Sequence, residues 1–243
     1  MMDSLEGAKP DGLNMKTTIL NSIPCEIDLI SLAKKVRVEL KTSYADSLEQ
    51  LVNEGSAIAN PKALYRTAYL HEKDEEDVVI NGVRLKSRVL SVNLENVYRV
   101  FPFVATCGTE LERWAKSQKE MILRFWAETI METALYAAIE FALKHIDEFH
   151  QPGKTAIMSP GSIEDWPIGE QSSLFSILGD VQTSIGVKIN LELMMTPEHS
   201  VSGIIFPTEF DFETCQLCPR DICPSRRAPF DKSLYERRYL RKE

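Results

Sequence analysis

Histidine is scarce in this chain, and the four present, His71, His145, His150 and His199, stand at no zinc-finger spacing. The G-x-x-x-x-G-K-[ST] phosphate loop, the G-x-G-x-x-G fingerprint, H-E-x-x-H and G-x-S-x-G are all missing. Nothing therefore supports a self-contained hydrolase or a nucleotide-dependent enzyme. No run of about 18 apolar residues occurs, so no membrane-spanning helix is expected. The first six residues, Met1 to Glu6, are acidic and polar and lack the basic and apolar regions of a secretory signal, which makes a cytoplasmic location the expectation. Positive charge is in deficit: 28 Lys and Arg against 36 Asp and Glu give −8, which argues against nonspecific nucleic-acid binding.

Apolar residues are present in quantity. They make up 44% of the 243 positions, enough for a substantial core in one large or two small domains. The five cysteines, an odd number in a chain without a secretory signal, point to thiols that bind metal or do chemistry rather than to a disulfide framework. Charge is unevenly spread. Arg220 to Glu243 holds eight Lys and Arg against four Asp and Glu, so this tail carries +4 and the remainder −12. A solubilising terminal helix explains such a tail, and so does recognition of an acidic partner protein.

The patterning predicts an α+β fold with a mixed or antiparallel sheet and a long central helix. Residues 1–15 read as a flexible leader, 16–214 as the α+β domain, and 215–243 as a Cys-rich loop with a basic C-terminal helix. Thr17 to Ile23 is β-compatible. Leu29, Leu32, Ala33 and Val36 give Asp28 to Val38 a helical spacing, and 47–54 and 61–70 read as two further helices. Asn81-Gly82 between Val78-Val79-Ile80 and Val83-Arg84-Leu85 predicts a tight hairpin. A short helix over 90–97 and an apolar strand over 100–107 come next. Glu110 to Phe149, free of proline and glycine, is expected to be one helix stopped by Gln151-Pro152-Gly153.

Two segments carry possible chemistry. Cys215-x2-Cys218-x4-Cys223 could ligate an iron–sulfur cluster or zinc, because two intervening residues bring two sulfurs to one side of a turn. Spacing alone leaves both open, together with no metal at all. Arg220, Arg226 and Arg227 would offset thiolate charge. Cys107, at the end of its strand, is the candidate fourth ligand and Cys25 the other; a buried thiol is the competing reading of Cys107.

The second segment runs from Met158 to Phe206. It opens on the rigid turn Ser159-Pro160-Gly161 and passes Trp166-Pro167 and an amphipathic helix with Leu174, Phe175, Ile177 and Leu178. It continues through Ile185-Gly186-Val187, the strand Lys188-Ile189-Asn190-Leu191 and Met194-Met195-Thr196-Pro197, and closes on Ser200-Val201-Ser202-Gly203-Ile204-Ile205-Phe206. That order resembles the activation domain of cobalamin-dependent methionine synthase. The resemblance implies an S-adenosylmethionine site framed by Ser159, Gly161, Ser202 and Gly203, with an acidic residue of the long helix near the cofactor amine. Glu132, which shares a helix face with Glu128, is the candidate. Where that family places an arginine four residues before the turn glycine and a tyrosine after it, this chain has Ile157 and Ser162. Phe210 and Phe212 are the aromatics nearest to the tyrosine that comes after the family's SVSG strand.

By this resemblance the expected function is reactivation of a cobalamin-dependent methyltransferase or corrinoid protein. Cob(II)alamin would be reduced with S-adenosylmethionine as methyl donor, with an iron–sulfur cluster as electron carrier, or with both. The alternatives are an iron–sulfur electron-transfer protein without S-adenosylmethionine, or a zinc-stapled interaction module. No D-x-H-x-x-G corrinoid signature is present, so the cobalamin is expected on a partner protein, with an electron-carrier protein as a further partner.

Overall fold

A computed structural model describes residues 16–223 and 225–240. The chain begins with β1 (Thr17–Leu20), α1 (Leu29–Val36) and α2 (Tyr44–Ile58). A run of strands comes next: β2 (Lys62–Arg66), β3 (Ala68–Lys73), β4 (Asp77–Ile80) and β5 (Val83–Lys86). Then come α3 (Arg88–Asn93), β6 (Arg99–Thr106), α4 (Thr109–Ser117), the 30-residue α5 (Met121–His150) and β7 (Thr155–Met158). The last third holds α6 (Gln171–Leu178), α7 (Val181–Ile185), β8 (Lys188–Ile189), β9 (Met195–Thr196), β10 (Ser200–Pro207) and α8 (Leu234–Arg238).

Eight strands form one sheet, and every pairing in it is antiparallel. The spine is β6. Along one edge it meets β2 and then β3 in a single continuing register, Tyr65 opposite Phe103 and Ala68 opposite Val100. Along the other edge it meets β10, with Ser202 opposite Val104 and Gly203 opposite Phe103, and β10 in turn carries β7. Side chains alternate between the two faces of the pleat. Val104, Ile204 and Phe206 join Trp166, Leu174 and Ile177 in one hydrophobic cluster. Phe101, Phe103, Ala105 and Ile205 join Ala138, Ala142 and Ile146 of α5 in another. The small residues Ala138 and Ala142 let α5 lie close along the sheet. A third cluster packs α1, α2 and α4 against the first half of α5 around Trp126.

The α+β class, the antiparallel sheet and the long helix agree with the sequence reading, and three elements differ. Residues 61–70, expected as helix, are β2 and the start of β3. Ala63, Leu64 and Tyr65 are all essentially inaccessible, because β2 lies between β1 and β6 with both its faces covered. A strand covered on both faces shows a continuous apolar run, which periodicity alone does not separate from a helix. The helix expected over 110–149 is two helices. The Trp114 carbonyl accepts from Ser117 Oγ at 2.7 Å and from Gln118 Nε2 at 3.5 Å, and Gln118 turns to extended backbone, which ends α4 without proline or glycine. The strand expected at 188–191 shrinks to the two residues of β8. The Asn81-Gly82 hairpin forms as expected, with φ of 51° and 80°. The leader, 1–15, lies outside the described residues.

Candidate functional site

At the end of β7 the chain leaves the sheet and crosses β10 over Gly203. A Cβ on Gly203 would stand 2.4 Å from the Met158 carbonyl oxygen and 2.8 Å from Ser159 Oγ, so no larger residue fits beneath the turn. Gly161 takes φ +80°, which glycine adopts without steric cost. Its N–H donates to the Trp166 carbonyl at 2.7 Å, and the Ser162 N–H donates to the Ser159 carbonyl at 3.2 Å. The turn is therefore closed on itself, and the Gly161 N–H is already committed. Trp166 beneath it is fully buried.

The expected site residues separate into two groups. Ser159, Gly161 and Gly203 belong to the crossing. Ser202 sits in register with Ile204 and Phe206, on the opposite face from Gly203; its hydroxyl is buried and has no partner among the described residues. Glu132 is elsewhere: its carboxylate accepts from Lys35 Nζ at 2.8 Å, because α1 packs against that side of α5. Ile157, where the family has arginine, rests against the cluster beneath α5.

The cysteine loop abuts this crossing. Thr214 Oγ1 donates to the Ile157 carbonyl at 2.9 Å, tying the loop to the edge of β7. Residues 214–217 form a 3₁₀ turn opened by a reciprocal cap between Glu213 and Gln216, and the Cys218 N–H donates to the Cys215 carbonyl at 3.3 Å. One side chain organises the rest of the loop. The Arg226 guanidinium donates to the carbonyls of Cys215 at 3.0 Å, Cys218 and Ala228 at 3.4 Å, and Arg220. Cys215, Cys218 and Cys223 are half-buried free thiols. Among the described residues no three His, Cys, Asp or Glu side chains are grouped to hold a metal ion.

Cys107 does not approach the loop. It is wholly buried in the cluster with Leu111 and Trp126, whereas Leu217, between Cys215 and Cys218, packs against the cluster around Trp166. Burial, with the Glu112 charge adding to it, pushes the Cys107 thiol up to about 12. Burial also raises the Cys25 thiol, which packs beside the same cluster.

One polar constellation has no counterpart in the sequence reading. Tyr65 Oη lies 2.9 Å from His145 Nδ1 and 3.0 Å from His150 Nε2, under the end of α5. Burial raises the phenol pKa; burial and then the charges of Arg99, His145 and Lys16 lower that of His150. Only the pairing of β2 beneath α5 joins residues 80 and more positions apart, and no local pattern announces it.

These features define an α+β domain whose antiparallel sheet carries a long helix on one face and a glycine-dependent crossing at its edge. No protein-family model matches the chain, and no curated protein matches it. Among solved structures it is similar to the MetH reactivation domain bound to AdoHcy, with a TM-score of 0.61, 13% sequence identity, and coverage of 88% of this chain and 85% of that one. The chain has the fold of that reactivation domain. Among the described residues no helix is long and apolar enough to cross a membrane.

Proposed function

We propose that this chain reactivates a corrinoid protein or a cobalamin-dependent methyltransferase, taking S-adenosylmethionine beside the crossing of Ser159-Pro160-Gly161 over Gly203. The observation that carries the reading is the 2.4 Å separation a Gly203 Cβ would have from the Met158 oxygen. The glycine of the SVSG strand is thus required by the turn that the resembling family uses for its cofactor. The fold's neighbour, bound to AdoHcy, supports the same ligand class.

The chain's own contribution is positional. Pro160 and Gly161 fix a rigid turn, and Gly203 lets the backbone come within contact of the strand. The buried Ser202 hydroxyl, on the other face of the same strand, has no partner among the described residues. When bound, S-adenosylmethionine would supply the methyl group that traps a corrinoid cobalt after one-electron reduction. Ile157 offers no fork for the methionyl carboxylate, so the ligand is held weakly.

Arg226 donates to the carbonyls of Cys215 and Cys218, and among the described residues no three His, Cys, Asp or Glu side chains are grouped to hold a metal ion, so the reading of the cysteine loop as an iron–sulfur site gains no support here.

Calorimetric titration with S-adenosylmethionine and S-adenosylhomocysteine tests the site. Weak binding is expected in the native chain. Ile157→Arg should tighten it about tenfold, since a charge-assisted hydrogen bond contributes roughly 1.5–3 kcal/mol. Absence of binding in both proteins would overturn the reading.

A further inference from the structure

The thiols of the C-terminal loop are reactive groups that the proposed function leaves unused, and two of them share one turn. Cys215 is the second residue of the 3₁₀ turn over 214–217, and the Cys218 N–H closes on the Cys215 carbonyl at 3.3 Å. A turn closed between residues three apart holds their Cα atoms within about 7 Å of each other. A disulfide needs Cα atoms about 4.4–6.8 Å apart. In a 3₁₀ turn, moreover, side chains three positions apart eclipse, so this backbone brings the two thiols to one side.

The turn is held from several directions. The reciprocal cap of Glu213 and Gln216 fixes its opening, and the Asp231 N–H donates to the Gln216 carbonyl at 2.9 Å. Leu217, between the two cysteines, packs against the cluster around Trp166, while Cys215 and Cys218 stay half-buried and open to a small reagent. Pro219 stiffens the exit, because its ring fixes φ. The Arg226 guanidinium joins the carbonyls of Cys215 and Cys218, and the Arg226 N–H donates to the Cys223 carbonyl at 3.2 Å. Cys223 itself comes after the exposed segment 219–222 and shares no turn with either thiol.

We infer that Cys215 and Cys218 form a dithiol–disulfide centre that exchanges with small-molecule disulfides. The chemistry balances as two displacements. One cysteine thiolate attacks a sulfur of the small disulfide, whose S–S bond breaks, and the departing small thiolate takes up a proton. The second cysteine thiolate attacks the protein sulfur of the mixed disulfide, the other small thiolate leaves and is protonated, and the protein S–S bond forms. Two protein thiols are oxidised and one small disulfide is reduced to two thiols; the reverse steps reduce the loop. The centre adjoins Thr214, whose hydroxyl ties the loop to β7.

The test equilibrates the full chain with reduced and oxidised glutathione at several ratios, quenches with N-ethylmaleimide, and reads intact and peptide masses. The expected product is lighter by two hydrogen atoms, with the bond between Cys215 and Cys218 and the maleimide on Cys223. Its formation constant should exceed that of the urea-unfolded chain by about tenfold or more, because the folded turn holds the pair together beforehand. Cys218→Ser should stop at a glutathione adduct on Cys215, and Cys223→Ser should leave the bond unchanged. Three results would overturn the inference: separate glutathione adducts with no internal bond, an internal bond that uses Cys223, or equal formation constants in the folded and unfolded chains. Loop thiols shielded from glutathione and maleimide until a chelator is added would overturn it as well, assigning the loop to a metal ion.

Discussion

Two proline-bearing segments meet at β7, where the Ile157 carbonyl accepts from Thr214. The turn at Ser159-Pro160-Gly161 is shaped mainly by backbone: the Gly161 and Ser162 N–H groups donate to main-chain carbonyls, the Ser162 hydroxyl adds a donation to the Ser159 carbonyl, and the turn rests on a glycine with no room for a methyl group. The cysteine loop is shaped by a side chain, since one guanidinium gathers four carbonyls that would otherwise have no common partner. Backbone construction tolerates sequence change except at the glycine. Side-chain construction depends on one residue and leaves the neighbouring thiols free for other chemistry. The first segment suits a fixed ligand-binding edge, the second a loop that can rearrange.

The largest effect expected concerns the thiols. With Cys107 pushed up to about 12, its thiolate fraction near pH 8 is about 10³-fold below that of an ordinary cysteine. Iodoacetamide on the native chain, with mass spectrometry as the readout, should label Cys215, Cys218 and Cys223 and leave Cys107 untouched until unfolding. Protection of all three loop thiols, relieved by a chelator, would place a metal on the loop and break the comparison.

Gly203→Val comes next. The nearest clash is with the main-chain oxygen of Met158, which no side-chain rotation relieves, so the turn must move, and a loss of about 3 kcal/mol or more is expected in denaturant melts. A loss below about 1 kcal/mol would mean the crossing is not rigid.

Arg226→Ala should act locally. Fast hydrogen exchange and proteolysis should appear across residues 215–227, while global stability falls by only about 1–2 kcal/mol. A cooperative loss of the whole fold would show that the loop is not an independent unit.

The smallest effect is with pH. His150 lies below its ordinary value of 6.5, first through burial and then through neighbouring positive charge. Below 6.5 the unfolded chain takes up protons that the folded chain does not. The stability contributed by neutral His150 is therefore complete above 6.5 and is lost as pH falls from there towards the lowered folded value. Thermal melts should decline slightly over that interval, and His150→Gln should flatten the decline.

Legibility in the sequence tracks the range of the interactions. The Asn81-Gly82 hairpin needs only two residues with positive φ, and Asp28 caps α1 through its own side chain, accepting from the Ser31 N–H at 2.7 Å. The pattern around Ser159-Pro160-Gly161 and Ser200 to Phe206 gives the turn and the glycine strand, and alternation along a strand divides Ser202 and Gly203 between two faces; that the turn crosses Gly203 was not legible. Residues 61–70 read as helix and fold as strand because a strand buried on both faces and a buried helix share one apolar signature. The Lys35–Glu132 ion pair was not legible, because the neighbour of a helix face depends on which helix packs there, here α1.

By itself, then, the sequence determined the α+β class, the hairpin, the rigid turn and its glycine strand, since each rests on contacts or dihedral preferences a few residues long. Only the tertiary structure decided that Cys107 is sealed away from the cysteine loop and that Arg226 holds that loop. It also decided that Tyr65 shares its hydroxyl with His145 and His150. Those outcomes depend on how sheet and helices bring distant residues together, and the free energy that selects one packing over another is spread over the whole core rather than written in any short stretch.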